Sequence, residues 1–142
     1  NAYRDQHRQL RDKMEVFTPG SHGSTFGGNP IGSAVAIASL DVLEDEKLDE
    51  RAEELGAHFR KKLSSIDSEK ILDVRGKGLL VALELKEEAG KARNYCNLLR
   101  EKGILAKDTH GQTIRFAPAL VIEKENLNWA AGIIEEVINE DP

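Results

Sequence analysis

With 142 residues, 39% of them hydrophobic and 32% charged, the chain can build one compact domain with its own core and is too short for two ordinary ones. Its net charge of -5, from 20 basic and 25 acidic residues dispersed along the sequence, offers no basic stripe for a phosphate backbone, so nucleic acid is not an expected partner. One cysteine, Cys96, rules out an internal disulfide and suits a reducing compartment, cytoplasmic or an organelle matrix, while no run approaches the roughly 20 apolar residues of a membrane span.

Residues 1–15 are dense in charge and amide groups, with only Tyr3, Leu10 and Met14 to bury, which predicts a peripheral arm. The first residue is Asn1, as expected of a chain whose translation start lies upstream or was processed. Residues 16–30 are punctuated by Pro19, Gly20, Gly23, Gly27, Gly28 and Pro30, a loop composition with several positions free to take positive φ. Asn29 can cap a following helix, with Pro30 at the first helical position, where its missing N–H costs nothing. That helix, 31–43, lacks a polar face, which implies burial on most sides.

The second helix is the clearest feature of the sequence: Leu48, Ala52, Leu55, Phe59, Leu63 and Ile66 recur at intervals of three and four, away from Glu50, Glu53, Glu54, Lys61 and Lys62. Residues 71–74 and 79–85 read as strands around a turn at Arg75-Gly76-Lys77-Gly78. A third helix over 89–102, stopped by Gly103, precedes short strands at 104–107 and 113–117, the latter ended by Pro118. A closing helix over 124–139 buries Leu127, Ala131, Ile134 and Ile138. This order predicts an α/β (α+β) sandwich, with helices packed on a small, mainly antiparallel sheet.

The segment Gly20-Ser21-His22-Gly23-Ser24-Thr25-Phe26-Gly27-Gly28-Asn29-Pro30 combines hydroxyl donors, glycines that let the backbone approach an anion, and a helix start. It could cradle a phosphate, although a Gly/Ser-rich loop before a helix is also a plain connector, and composition leaves both readings open. It is not a Walker loop, because Gly-Lys-Ser/Thr is absent. His7, His22, His58 and His110 show no metal-ligand spacing, so no metal site is expected. Glu44, Asp45 and Glu46 read as a solvated helix end, and Cys96 as a small buried hydrophobe.

His22-Gly23-Ser24-Thr25-Phe26-Gly27-Gly28-Asn29-Pro30 resembles the signature of class III pyridoxal-phosphate-dependent aminotransferases. Val74-Arg75-Gly76-Lys77-Gly78-Leu79-Leu80, Lys107 with Thr109-His110, and Ile114-Arg115-Phe116-Ala117-Pro118 with Leu120-Val121-Ile122 follow in the family's order. Within the class, Ala106-Lys107-Asp108-Thr109-His110 leans towards ornithine aminotransferases over acetylornithine or 4-aminobutyrate relatives.

The resemblance implies the C-terminal small domain of a fold-type I enzyme over 31–142, preceded by a cofactor-phosphate loop at 16–30. It implies that Ser24 and Thr25 hold the phosphate of pyridoxal 5'-phosphate seated in a neighbouring subunit, and that Arg115 lies at the substrate end of the pocket, where it can grip a carboxylate. A homodimer or large-domain partner, and amino acid and 2-oxo acid substrates, follow from the same likeness. No catalytic residue is placed in this chain. The family's Schiff-base lysine precedes the glycine loop, and residues 1–15 match none of that context, so the chain alone is expected to be inactive. The family's tandem proline is here Pro118-Ala119, which should leave Arg115 in place. A stand-alone truncated domain that binds or complements a partner is the alternative expectation.

Overall fold

The computed structural model describes residues 23–140. The expected peripheral arm, and the front of the glycine-rich loop with His22, lie outside the described residues. The described residues fall into two units, divided between Val42 and Leu43.

Helix α1 spans Pro30–Asp45 and begins as its sequence dictates. The Asn29 side-chain oxygen accepts a hydrogen bond from the Gly32 N–H at 2.8 Å, an N-cap that satisfies a leading donor of the helix, and the Asn29 amide donates to the Phe26 carbonyl at 2.6 Å. None of its residues is buried, and Ile31, Val35, Ile37 and Leu40 are all at least 60% exposed. The expected burial is therefore not met among the described residues. Apolar and small residues surround the whole helix, so no single stripe can be buried while the rest stays in water; it needs cover on several sides at once.

The second unit is a four-stranded sheet with helices on one face. Its strands are β1 (Ile71–Lys77), β2 (Leu80–Leu85), β3 (Lys107–Thr109) and β4 (Thr113–Phe116), in the order β1-β2-β4-β3 with every neighbouring pair antiparallel. In β2 the alternate residues Val81, Leu83 and Leu85 are buried, and the register Val81↔Phe116 and Leu83↔Ile114 puts the apolar residues of β4 on the same face. Helices α2 (Leu48–Ser64), α3 (Ala92–Glu101) and α4 (Lys124–Asn139) cover that face. They contribute Phe59, Leu63, Tyr95, Leu99, Leu127, Ile134 and Ile138 to one core. Phe59 meets Phe116 edge to face, with ring centroids 5.9 Å apart, an arrangement the ring quadrupoles favour. The fully buried Tyr95 keeps its hydroxyl satisfied by donating to the Ala89 carbonyl at 2.8 Å.

Three details differ from the sequence reading. Arg75, Gly76 and Lys77 belong to β1, and the turn is the two-residue Gly78-Leu79. Gly78 has φ +52°, and glycine at the first position of a two-residue hairpin loop supplies the positive φ that matches strand twist. The third helix begins only at Ala92, because Gly90, with φ +84°, separates it from a short 3-10 turn at Glu87–Ala89. The strand expected at 104–107 is displaced to Lys107–Thr109. Gly103 (φ +90°) donates to the Arg100 carbonyl and Ile104 to the Leu99 carbonyl at 2.8 Å, the paired bonds of a Schellman ending, so 104–106 complete the helix cap and form a connector.

Helix α2 grips the β1–β2 turn. The Gly78 N–H donates to Glu53 Oε2 at 3.2 Å, its carbonyl accepts from Arg60 Nη1 at 2.9 Å, and Arg60 pairs with Glu53 at 3.2 Å. Gly56 lies between them on the helix, and a Cβ there would stand 1.9 Å from the Gly78 carbonyl oxygen. Gly56→Ala should thus lower stability: overpacking against backbone costs about 1–3 kcal/mol or more, against about 1 kcal/mol gained in helix propensity. Urea unfolding measures the balance, and a variant as stable as the parent would contradict so close an approach.

Candidate functional site

The loop ahead of α1 is two successive turns, with Gly27 donating to the Ser24 carbonyl at 3.3 Å and Asn29 to that of Phe26 at 3.4 Å. Gly28 takes φ +74°, and an added Cβ at Gly27 would stand 3.2 Å from the Ser24 Cβ. Ser24 and Thr25 are exposed, and their hydroxyls have no hydrogen-bond partner among the described residues. The donor set suits a phosphate: two open hydroxyls on a glycine-bearing turn directly before a helix start.

In the second unit, Arg115 projects from β4 on the face opposite the helices. It is exposed while its neighbours Ile114 and Phe116 are buried. The strand register sets it opposite Ala82 of β2 on one side and Lys107 of β3 on the other. Arg115 makes no ion pair or hydrogen bond through its side chain among the described residues. Behind it, Phe116, Ala117 and Pro118 join Leu105, Ile122 and Trp129 around an open apolar hollow of about 250 Å³. Pro118-Ala119, in place of two prolines, is accommodated by a turn in which Ile122 donates to the Ala119 carbonyl at 3.0 Å.

The same row of the sheet continues to Arg75, which lies opposite Ala82 on β1. Arg75 pairs with Asp73 at 3.0 Å and more closely with Glu84; the hydrogen bonds to these carboxylates, Asp73 first, hold its guanidinium pKa above the ordinary value. At the other end, Lys107 Nζ is 3.1 Å from Asp108, which also lies 3.3 Å from Arg93 of α3. The Lys107 hydrogen bond lowers the Asp108 pKa, with Arg93 adding to it against a desolvation cost. The pairing of Lys107 with Arg115 escaped the sequence reading, because a strand ending at Lys107 hides a register that begins there.

Cys96 is 6% exposed, and desolvation raises its thiol pKa, so it is no ready nucleophile. Among the described residues, no group of three or more His, Cys, Asp or Glu side chains is placed to hold a metal ion, and no helix is long and apolar enough to cross a membrane.

The family model "Aminotransferase class-III" matches residues 8–138. The ornithine aminotransferase of Bacillus subtilis is 56% identical over 128 residues, which are 90% of this chain and 31% of that relative. Among solved structures, the ornithine aminotransferase of Plasmodium yoelii superposes with a TM-score of 0.78 at 44% identity, covering 88% of this chain and 34% of that one. The acetylornithine aminotransferase of Elizabethkingia anophelis gives 0.73 at 50% identity, covering 88% and 32%. The chain thus spans about a third of the length of the relatives it matches.

The depressed Asp108 pKa carries a pH signature. A carboxylate whose folded pKa lies below its unfolded value adds stability that is complete above the unfolded pKa, about 3.9, and fades as pH falls through the folded one. Asp108→Asn should therefore be less stable than the parent at neutral pH, with the gap closing below about pH 4. Urea midpoints at several pH values measure it, and a gap that widens in acid has the wrong sign. For the thiol, Ellman's reagent should modify Cys96 far more slowly in the folded chain than in urea; equal rates would contradict its burial.

Proposed function

Because the chain belongs to the class-III aminotransferases, we propose that it supplies the C-terminal part of an ornithine aminotransferase, an enzyme that moves the δ-amino group of ornithine to 2-oxoglutarate and yields glutamate semialdehyde and glutamate. The observation that carries this reading is Arg115, a guanidinium held by β4 on the helix-free face with no partner among the described residues. A buried strand pair fixes its backbone, while its side chain is left for a ligand. Two parallel N–H donors match a carboxylate, which gives orientation as well as affinity.

Ser24 and Thr25 would donate their hydroxyl hydrogens to the phosphate of pyridoxal phosphate bound in a neighbouring subunit, and the glycines beside them admit the phosphate to the backbone. When bound, the cofactor supplies an electron sink for the charge left at the substrate carbon. Residues 16–30 then act as the cofactor-phosphate loop and 31–142 as the small domain. The exposed apolar residues of α1 supply the surface that a homodimer mate or a large domain would cover, since burying each large aliphatic side chain is worth about 1.5–3 kcal/mol. The chain's own share of the chemistry is to bind and orient, because none of its lysines stands in the family's Schiff-base context. A second reading, an acetylornithine aminotransferase, is favoured by the 50% identity to the Elizabethkingia anophelis enzyme.

Grafting this sequence in place of the matching third of the Bacillus subtilis relative should give an enzyme that turns over ornithine with 2-oxoglutarate. In that chimaera, Arg115→Gln should lower kcat/KM for a carboxylate substrate by about 100-fold, the equivalent of losing about 3 kcal/mol of charge-assisted hydrogen bonding. An undiminished kcat/KM would remove Arg115 from the site, and a preference for N-acetylornithine would move the assignment to the second reading. The 142-residue chain alone should show no transamination; steady turnover by it would refute the proposed division of labour.

A further inference from the structure

The two edges of the four-stranded sheet differ in length. At one, β3 is the short Lys107–Thr109; at the other, β1 runs Ile71–Lys77 with no strand beyond it among the described residues. A register shift between Ile71 and Asp73 leaves Asp73–Lys77 as the regular stretch of β1. The pair Lys77↔Leu80 closes the two-residue turn at Gly78-Leu79, and a turn of that length hydrogen-bonds its flanking residues to each other. Bonded and non-bonded pairs then alternate, so Lys77, Arg75 and Asp73 direct their peptide groups at β2, while Gly76 and Val74 turn theirs outward. Gly76 is exposed, and in a residue without a side chain that exposure is backbone. Such an edge is a template for another strand. Its charge is also unbalanced. Asp73 stands directly opposite Glu84, a like-charged pair that costs stability, and Arg75 serves both carboxylates.

We propose that β1 is a self-association surface, on which two copies of this chain pair antiparallel, β1 against β1, about a two-fold axis through Val74. Ladder bonds form only where outward-facing groups of one copy meet outward-facing groups of the other, which restricts the axis to a residue rather than a peptide bond. Charge then selects the residue. With the axis on Asp73, Arg75 or Lys77, that residue meets its own copy, and with the axis on Gly76, Arg75 meets Lys77. With the axis on Val74, Asp73 of each copy faces Arg75 of the other, and Leu72 faces Gly76. The segment Asp73-Val74-Arg75 is thus its own complement, with opposite charges either side of an apolar centre. Each Asp73–Glu84 pair gains a second guanidinium, and the half-exposed side chains of Asp73 and Arg75 are free to meet it. The proposal uses neither Arg115 nor the loop ahead of α1, so it stands apart from the functional reading above.

The test is sedimentation velocity of the full 142-residue chain and two variants at low ionic strength. The parent should form a dimer that molar salt weakens. Asp73→Arg or Arg75→Asp alone brings like charges together across the axis and should raise the dimer Kd about tenfold. An equimolar mixture of the two variants restores both opposite-charge contacts and should dimerise as the parent does. A parent that stays monomeric at submillimolar concentration overturns the proposal, and so does a mixture no tighter than either variant alone. A dimer that neither variant weakens also overturns it, by placing the contact on another surface such as the exposed apolar residues of α1. Should a variant lose the circular dichroism of the folded chain, the parent decides alone. In a mixture of isotope-labelled and unlabelled chains, the α-protons of Asp73 and Arg75 should show an intermolecular nuclear Overhauser effect, because residues opposed in a non-hydrogen-bonded pair approach most closely. A dimer without that signal contradicts the pairing.

Discussion

The placement of Arg115 depends on the pairing of β2 with β4. Side chains alternate across a sheet with a period of two, so the register that sets Val81 against Phe116 and Leu83 against Ile114 also decides what each face presents. A slip of one residue would turn Ile114 and Phe116 into water and drive Arg115 into an apolar core. The cost is large on both counts: two large side chains lose their burial, and an unpaired guanidinium loses its solvent. The hydrophobic effect thereby fixes where the positive charge stands.

Other features hold that register from its ends. The Glu53–Arg60 grip on the Gly78 backbone, with Gly56 allowing the close approach, locks the β1–β2 hairpin to α2. At the opposite end, Leu85 donates to the Gln112 carbonyl, Ala92 donates to that of Gly111, and the Gln112 side chain donates to the carbonyls of Lys86 and Gly90. The β3–β4 turn is thus stitched to the segment that follows β2. Lys102, at the C-terminal cap of α3, reaches Glu136 of α4 at 2.7 Å and Glu140 just past it at 3.0 Å, joining two of the covering helices. These exposed pairs add little energy individually, but they narrow the ways in which the helices can lie over the sheet.

Much of this was legible in the chain. The three- and four-residue spacing of Leu48, Leu55, Phe59 and Leu63 marked α2 because a one-sided helix writes its periodicity into sequence, and Asn29-Pro30 marked the start of α1 because caps are local chemistry. The errors fell where structure is set by something other than local pattern. Gly76 and Gly78 look alike in sequence, yet only Gly78 occupies the turn, because a neighbouring helix binds its peptide group. Residues 104–106 are apolar enough for a strand and are instead taken up by the Schellman ending of α3. As for the candidate site, the loop hydroxyls and Arg115 were visible through their motifs. The Lys107–Arg115 pairing was not, since a strand register is a relation between distant segments and leaves no trace in either one.

The fold places its apolar residues on one side of a sheet and keeps a cation on the other, with a hydroxyl-bearing loop as a separate element. Its direct test is the cross-strand nuclear Overhauser pattern between β2 and β4. The observed register should give close contacts for Val81 with Phe116 and for Leu83 with Ile114. A pattern shifted by one residue, with Arg115 opposite Val81 or Leu83, would put the guanidinium on the helix-covered face and contradict it.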